Sequence, residues 1–123
     1  MTEVGKIGLW TSVCGHLDTS CAIKWLKDKG YEVIAYIGDV GQDEDFAQVE
    51  KRALKTGAKR VYVGDLRQEF IKDFILPTLQ ANASYEGKYL LATALTRPLI
   101  AKHLVEVAHR ELATAFGHGC TGK

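Results

Sequence analysis

The chain has 123 residues, 46% of them hydrophobic and 25% charged, with a formal net charge of +1, which suffices for one compact domain and is too short for two. That composition is ordinary for a globular protein, and with no long block of like charge it lacks the electrostatic footprint of a nucleic-acid binder. No apolar run approaches the ~18 residues of a membrane-spanning helix, MTEVGKIGLW has no signal-peptide architecture, and three cysteines (Cys14, Cys21, Cys120) are too few for a disulfide scaffold, so a reducing, cytoplasmic setting is expected.

Strand-like and helix-like patterns alternate along the chain. KIGLWTSV is short and apolar-rich and reads as a strand. Leu17–Lys29 follows, with Leu17, Cys21, Ala22, Trp25 and Leu26 on one helical face and Gly30 as its stop. Trp10 and Trp25 are both expected in the core. Tyr31–Gly38 is a β-branched and aromatic run and predicts a buried strand. DVGQD reads as a loop, and Asp43–Thr56 as a helix with Phe46, Val49, Ala53 and Leu54 on one face. Lys59–Asp65 is the third strand.

Arg67–Gln80 carries Phe70, Ile71, Phe74, Ile75 and Leu79 at helical spacing, and Pro77 predicts a kink or an early end. NASYEGKY is a loop, and LLATAL fits either a short strand or the start of a helix. Thr96–Ala113 predicts a helix capped by Thr96, with Pro98 in its first turn and Leu99, Ile100, His103, Leu104, Val107, Ala108 and Leu112 inward. His103 and His109 read as structural or exposed. TAFGHGCTGK looks like a last strand running into a loop.

This order predicts an α/β fold: three layers, α/β/α, around a mostly parallel sheet with right-handed crossovers. In such sheets ligands bind outside the carboxyl ends of the strands, where the strand order switches direction. The first and last strands end in SVCGHLDTS and GHGCTGK, the two segments that this rule points to.

Those segments, together with LDTSCAIKWLKDKGYEVIAYIGDVGQDEDF and the long run from RALKTGAKRVYVGD to HLVEVAHRE, are similar to the N-terminal nucleotide-binding domain of argininosuccinate synthase, a family of N-type ATP pyrophosphatases. The resemblance runs through nearly the whole chain. It implies an adenine nucleotide alpha hydrolase-like fold and an ATP-dependent ligation of citrulline and aspartate, with release of AMP and pyrophosphate. It also implies that residues 1–123 form a single nucleotide-binding domain without the family's synthetase domain. ATP with Mg²⁺ is the implied cofactor, and a homo-oligomer the implied assembly.

The family's pyrophosphatase loop reads SGGLDTS; here the matching residues are Cys14, Gly15, His16, Leu17, Asp18, Thr19 and Ser20. The resemblance therefore assigns the nucleotide to Ser12, Cys14–Ser20, Gly38, Gly119 and Thr121, and the amino-acid substrates to Tyr89, Thr93, Ala94 and Thr121. The chemistry of the loop is that of a strand-to-helix turn, whose N–H groups and positive helix end face an anion. The N–H groups of Gly15–Ser20 and the hydroxyls of Thr19 and Ser20 suit phosphate, and Asp18 suits the helix cap or Mg²⁺. Two positions depart from the family. Cys14 replaces a hydroxyl donor with a weak S–H donor. His16 puts a Cβ and an imidazole where phosphate would lie, at a cost of about 1–2 kcal/mol if the position needs positive φ, which an imidazolium paired with phosphate would partly offset.

A third pattern overlaps the same ends. CGH and HGC mirror each other, and if the first and last strands are neighbours, Cys14, His16, His118 and Cys120 converge as a set suited to tetrahedral zinc. Their i, i+2 spacing differs from that of zinc fingers, and the alternative is a buried thiol with two solvent-facing imidazoles. At the level of function, a non-catalytic, diverged homologue that self-associates or binds a nucleotide or a metal stands beside the ligase domain.

Overall fold

A computed structural model describes residues 6–11, 17–84, 86–88 and 91–118. The element order is β1 (Lys6–Thr11), α1 (Leu17–Asp28), β2 (Glu32–Asp39), α2 (Phe46–Thr56), β3 (Arg60–Asp65), α3 (Arg67–Glu69), a π-helical segment (Phe70–Ile75), α4 (Leu76–Gln80), α5 (Ala92–Glu111) and β4 (Ala115–His118). The four strands form one sheet in the order β3-β2-β1-β4, and every pairing is parallel.

β2 explains the layering. Val33–Ile37 is buried throughout, and its alternating side chains serve two cores. Ile34 and Tyr36 pack with Phe70, Leu99, Ile100 and Leu104 from the π segment and α5. Val33 and Ala35 pack with Ile23 of α1 and Ala53 of α2. Helices therefore cover both faces, and the expected α/β/α architecture holds. Leu99 and Ile100 are fully buried, and burial of each contributes about 1.5–3 kcal/mol.

The helix ends follow local chemistry. Gly30, at φ +89°, closes α1 by donating to the Lys27 carbonyl while Tyr31 donates to Leu26, the left-handed stop that glycine adopts at least cost. α2 begins three residues later than Asp43, because the Asp45 carboxylate accepts from the N–H groups of Ala47 and Gln48 and so fixes the N-cap.

Several expectations are corrected. α5 begins at Ala92, so Thr96 lies inside the helix, where it is 5% exposed, and Pro98 lies in the helix interior. LLATAL thus leads into the helix. Pro77 does not end the run, which continues to Gln80: the segment before it widens to π geometry, with Leu76 donating to Ile71 five residues back, which opens the turn that a proline ring would crowd. Trp25 is 61% exposed, its ring covered by the Lys29 ammonium 5.5 Å from the centroid. Leu112 is exposed because it takes the left-handed conformation, φ 56°, that ends α5. Leu54, Ile71, Leu79 and Tyr31 are also exposed. His103 and His109, by contrast, follow expectation: His103 is structural, its Nε2 2.7 Å from a Glu69 carboxylate oxygen and its Nδ1 3.2 Å from Glu106, and His109 is exposed. The expectation for Trp10 lies outside the described side chains.

Candidate functional site

The carboxyl edge of the sheet is where the sequence leads. β1 ends at Thr11, opposite Ile37 of β2. On its other side Trp10 pairs with His118, the last residue of β4. The first and last strands are therefore neighbours, and the order switches direction between them, which is the topological position of ligand sites in open α/β sheets. α1 starts at Leu17 after the segment that follows β1; Leu17, Asp18, Thr19 and Ser20 form its first turn, and Ser20 is half-buried.

Gly38 stands one residue before the end of β2. A Cβ there would lie 2.9 Å from Ile100 Cγ1 and 3.2 Å from Leu66 Cδ1, so glycine at this position lets α5 seat closely on the strand. Ala94 is exposed on the first turn of α5, with Thr93 before it. His118 is exposed at the end of β4. Ser12, Cys14, Gly15, His16, Tyr89, Gly119, Cys120 and Thr121 lie outside the described residues, as does the side chain of Thr93. Among the described residues no group of three or more His, Cys, Asp or Glu is arranged to hold a metal.

Sequence reasoning passed over the polar groups that shape this edge. β2 and β3 end in matching tetrapeptides, Tyr36-Ile37-Gly38-Asp39 and Tyr62-Val63-Gly64-Asp65, and these lie in register. Gly64 leaves room for the Tyr36 phenol, which a Cβ would overlap. Burial first, then the Glu106 and Glu69 carboxylates, push that phenol up to about 12. Beyond the glycines, the Arg67 guanidinium grips Asp65 with two 2.9 Å hydrogen bonds and reaches Asp39 at 3.6 Å. Those side-chain bonds, aided by the Arg67 N–H, hold the Asp65 carboxyl down to about 2. The signal for this pairing was present in the sequence as the repeated Y-[I/V]-G-D.

The turn after β2 is closed on itself. Asp39 Oδ1 accepts from Gly41 N–H at 2.9 Å, and the Gln42 amide donates to the Gly38 carbonyl at 3.0 Å while accepting from Val40 N–H at 2.9 Å. The Asp39 carbonyl accepts from Leu66 N–H at 2.8 Å and so ties this turn to the one after β3. The edge thus presents a fixed backbone surface beside the switch point, the kind of arrangement that receives a ligand without first having to be ordered.

Comparison with known proteins gives consistent relatives. The family described as Arginosuccinate synthase N-terminal HUP domain matches residues 9–123. The chain is 58% identical over 109 residues to argininosuccinate synthase of Pseudothermotoga lettingae, covering 89% of this chain and 26% of that protein. It is 54% identical to the Xenopus tropicalis enzyme and 56% identical to that of Danio rerio, each over 109 residues and with the same two coverages. The chain thus spans about a quarter of the length of these relatives. In overall fold it is similar to a crystal structure of NAD+ synthetase from Burkholderia pseudomallei, with a TM-score of 0.51 at 20% identity, over 93% of this chain and 45% of that one.

Proposed function

Because this chain belongs to the argininosuccinate synthase family through its N-terminal HUP domain, we propose that it is an ATP-binding domain for the ATP-dependent ligation of citrulline and aspartate. The observation that carries the reading is the pairing of Trp10 with His118. SVCGHLDTS and GHGCTGK, the segments that the family reaction needs together, follow neighbouring parallel strands at the carboxyl edge of the sheet.

In this reading ATP supplies the activating group: the citrulline ureido oxygen attacks its α-phosphorus and pyrophosphate leaves, and the aspartate amine then attacks the activated ureido carbon and displaces AMP. The chain contributes position and charge stabilisation. The N–H groups of Gly15–Ser20 receive the pyrophosphate with the Thr19 and Ser20 hydroxyls, and Asp18 is the residue suited to Mg²⁺. Gly38, Gly119 and Thr121 are assigned to the nucleotide, and Tyr89, Thr93, Ala94 and Thr121 to the amino-acid substrates. The backbone surface at Gly38, already fixed by its own hydrogen bonds, supports this reading. Calorimetric titration of the purified chain with Mg-ATP is expected to give saturable micromolar binding; absence of any heat above dilution would exclude it.

Self-association is a second reading, favoured by a separate observation. Among the described residues β4 pairs only with β1, it carries no Asp, Glu, Lys or Arg, and exposed Phe116, Val105 and Leu112 lie along it and α5. Such an edge invites strand pairing with a second copy. Light scattering on the same sample is expected to give a mass above the 13.6 kDa of one chain; a monomer at all concentrations used for the titration removes this reading and leaves the first intact.

A further inference from the structure

We propose that Gln42 is a positioning residue of the nucleotide site: its side-chain amide holds the turn after β2 in the form that receives ATP. The inference rests on the nucleotide reading above and adds to it a residue that the sequence motifs did not single out.

The turn has two fixed ends. Gly38 is wedged against Ile100 and Leu66, and Val40 packs on the same core. Between and beyond them the backbone has to turn away from the strand through Gly41, at φ +99°. Gln42 is the side chain that spans this reversal. Its Nε2 reaches back to the Gly38 carbonyl at 3.0 Å, and its Oε1 takes the Val40 N–H at 2.9 Å.

The chemistry selects an amide. A carbonyl can only accept and an N–H can only donate, so the bridging group has to carry one donor and one acceptor a short, fixed distance apart. That requirement also sets which way the amide faces. A carboxylate keeps the bond from Val40 but turns an oxygen against the Gly38 carbonyl, and a hydrocarbon keeps neither. Asp39 completes the turn from the other side through Gly41 N–H and Leu66 N–H. With those groups already paired inside the protein, the surface beside the β1–β4 switch keeps one shape, and ordering it costs nothing at the moment of binding.

The test is Mg-ATP affinity of the full chain and of two variants, Gln42→Glu and Gln42→Met, with thermal unfolding measured on each. Both variants are expected to melt within a few degrees of the parent, because the turn lies at the surface, and to bind Mg-ATP about tenfold more weakly near neutral pH. The two then part. As pH falls toward the ordinary glutamate range of about 4.3, the carboxyl of Gln42→Glu gains a proton and can again donate to Gly38, so its deficit relative to the parent shrinks; that of Gln42→Met does not. A merely structural role would lower both melting points together and show no such recovery. Parent-like affinity in either variant overturns the inference while leaving the nucleotide reading in place. Absence of binding by the parent removes both.

Discussion

Truncation of Ile100 to alanine is expected to lower the free energy of unfolding by about 2–5 kcal/mol, the largest loss anticipated for any single substitution near the candidate site. Ile100 is fully buried in the core between the sheet and α5, so its removal leaves a cavity that the surrounding strands cannot readily collapse. The converse change, Gly38→Ala, is expected to cost about 1–3 kcal/mol by overpacking, since the added methyl would lie 2.9 Å from Ile100 Cγ1 and 3.3 Å from its Cδ1. Those are the atoms that Ile100→Ala removes. The double variant is therefore expected to lose less than the sum of the single losses, by about 0.5–3 kcal/mol of coupling. Compensation stays partial, because Leu66 Cδ1, 3.2 Å from the same point, remains. Urea unfolding of the four proteins in the cycle measures this directly. Strict additivity would show that α5 is not seated on Gly38, and the account of that glycine as a packing residue would fail.

The point bears on function because a glycine at the carboxyl end of a strand invites another explanation, close approach of the backbone to a phosphate. The contacts here give the first cause to α5. A ligand at the neighbouring backbone would use a surface whose shape is already set by helix packing and by the Gln42 and Asp39 bonds.

The architecture was legible because its strongest signals are local and periodic. β2 is an unbroken apolar run, and the alternation of such runs with helix-period segments admits few arrangements other than a covered parallel sheet. The helix stop at Gly30 was equally plain, since glycine meets the left-handed geometry that ends a helix. The neighbouring of β1 and β4 was conditional in the sequence and became definite only with the register of Trp10 and His118.

What was misread shares a cause: tertiary contacts outweighed local preference. Thr96 followed by Pro98 has the form of a helix start, yet Thr96 is buried and α5 extends four residues further toward its N-terminus, as far as Ala92. Trp25 has the spacing of a core residue, yet it lies on the outer side of α1 under Lys29. The polar scaffold of the site was missed for another reason. Asp39, Gln42 and Arg67 act on backbone groups and on each other across separate turns, and periodicity carries no information about such bonds. The in-register Y-[I/V]-G-D pair was the one signal available, and it becomes informative only when the two strands are known to be adjacent.

The second large effect concerns the segment after β1, where the chain departs from its family. Replacing Cys14 with serine and His16 with glycine together is expected to tighten Mg-ATP binding by about ten- to a hundredfold. Two gains contribute, and they reach only that range because the thiol already donates weakly and the imidazolium already attracts phosphate, so that neither is realised in full. A serine hydroxyl donates to a charged oxygen, a bond worth about 1.5–3 kcal/mol, where a thiol donates weakly. If the phosphates lie where the family resemblance puts them, glycine frees space that an imidazole would take and, where the backbone requires positive φ, recovers about 1–2 kcal/mol. Part of the second gain is offset, because an imidazolium at position 16 would itself attract phosphate. Isothermal titration of the two single variants separates the causes. A gain confined to Cys14→Ser assigns the loss to the missing donor, and one confined to His16→Gly assigns it to sterics and backbone. If neither variant changes the affinity of a parent that binds, then the phosphates do not lie against this turn, and the nucleotide must be held from the Gly38 side of the sheet.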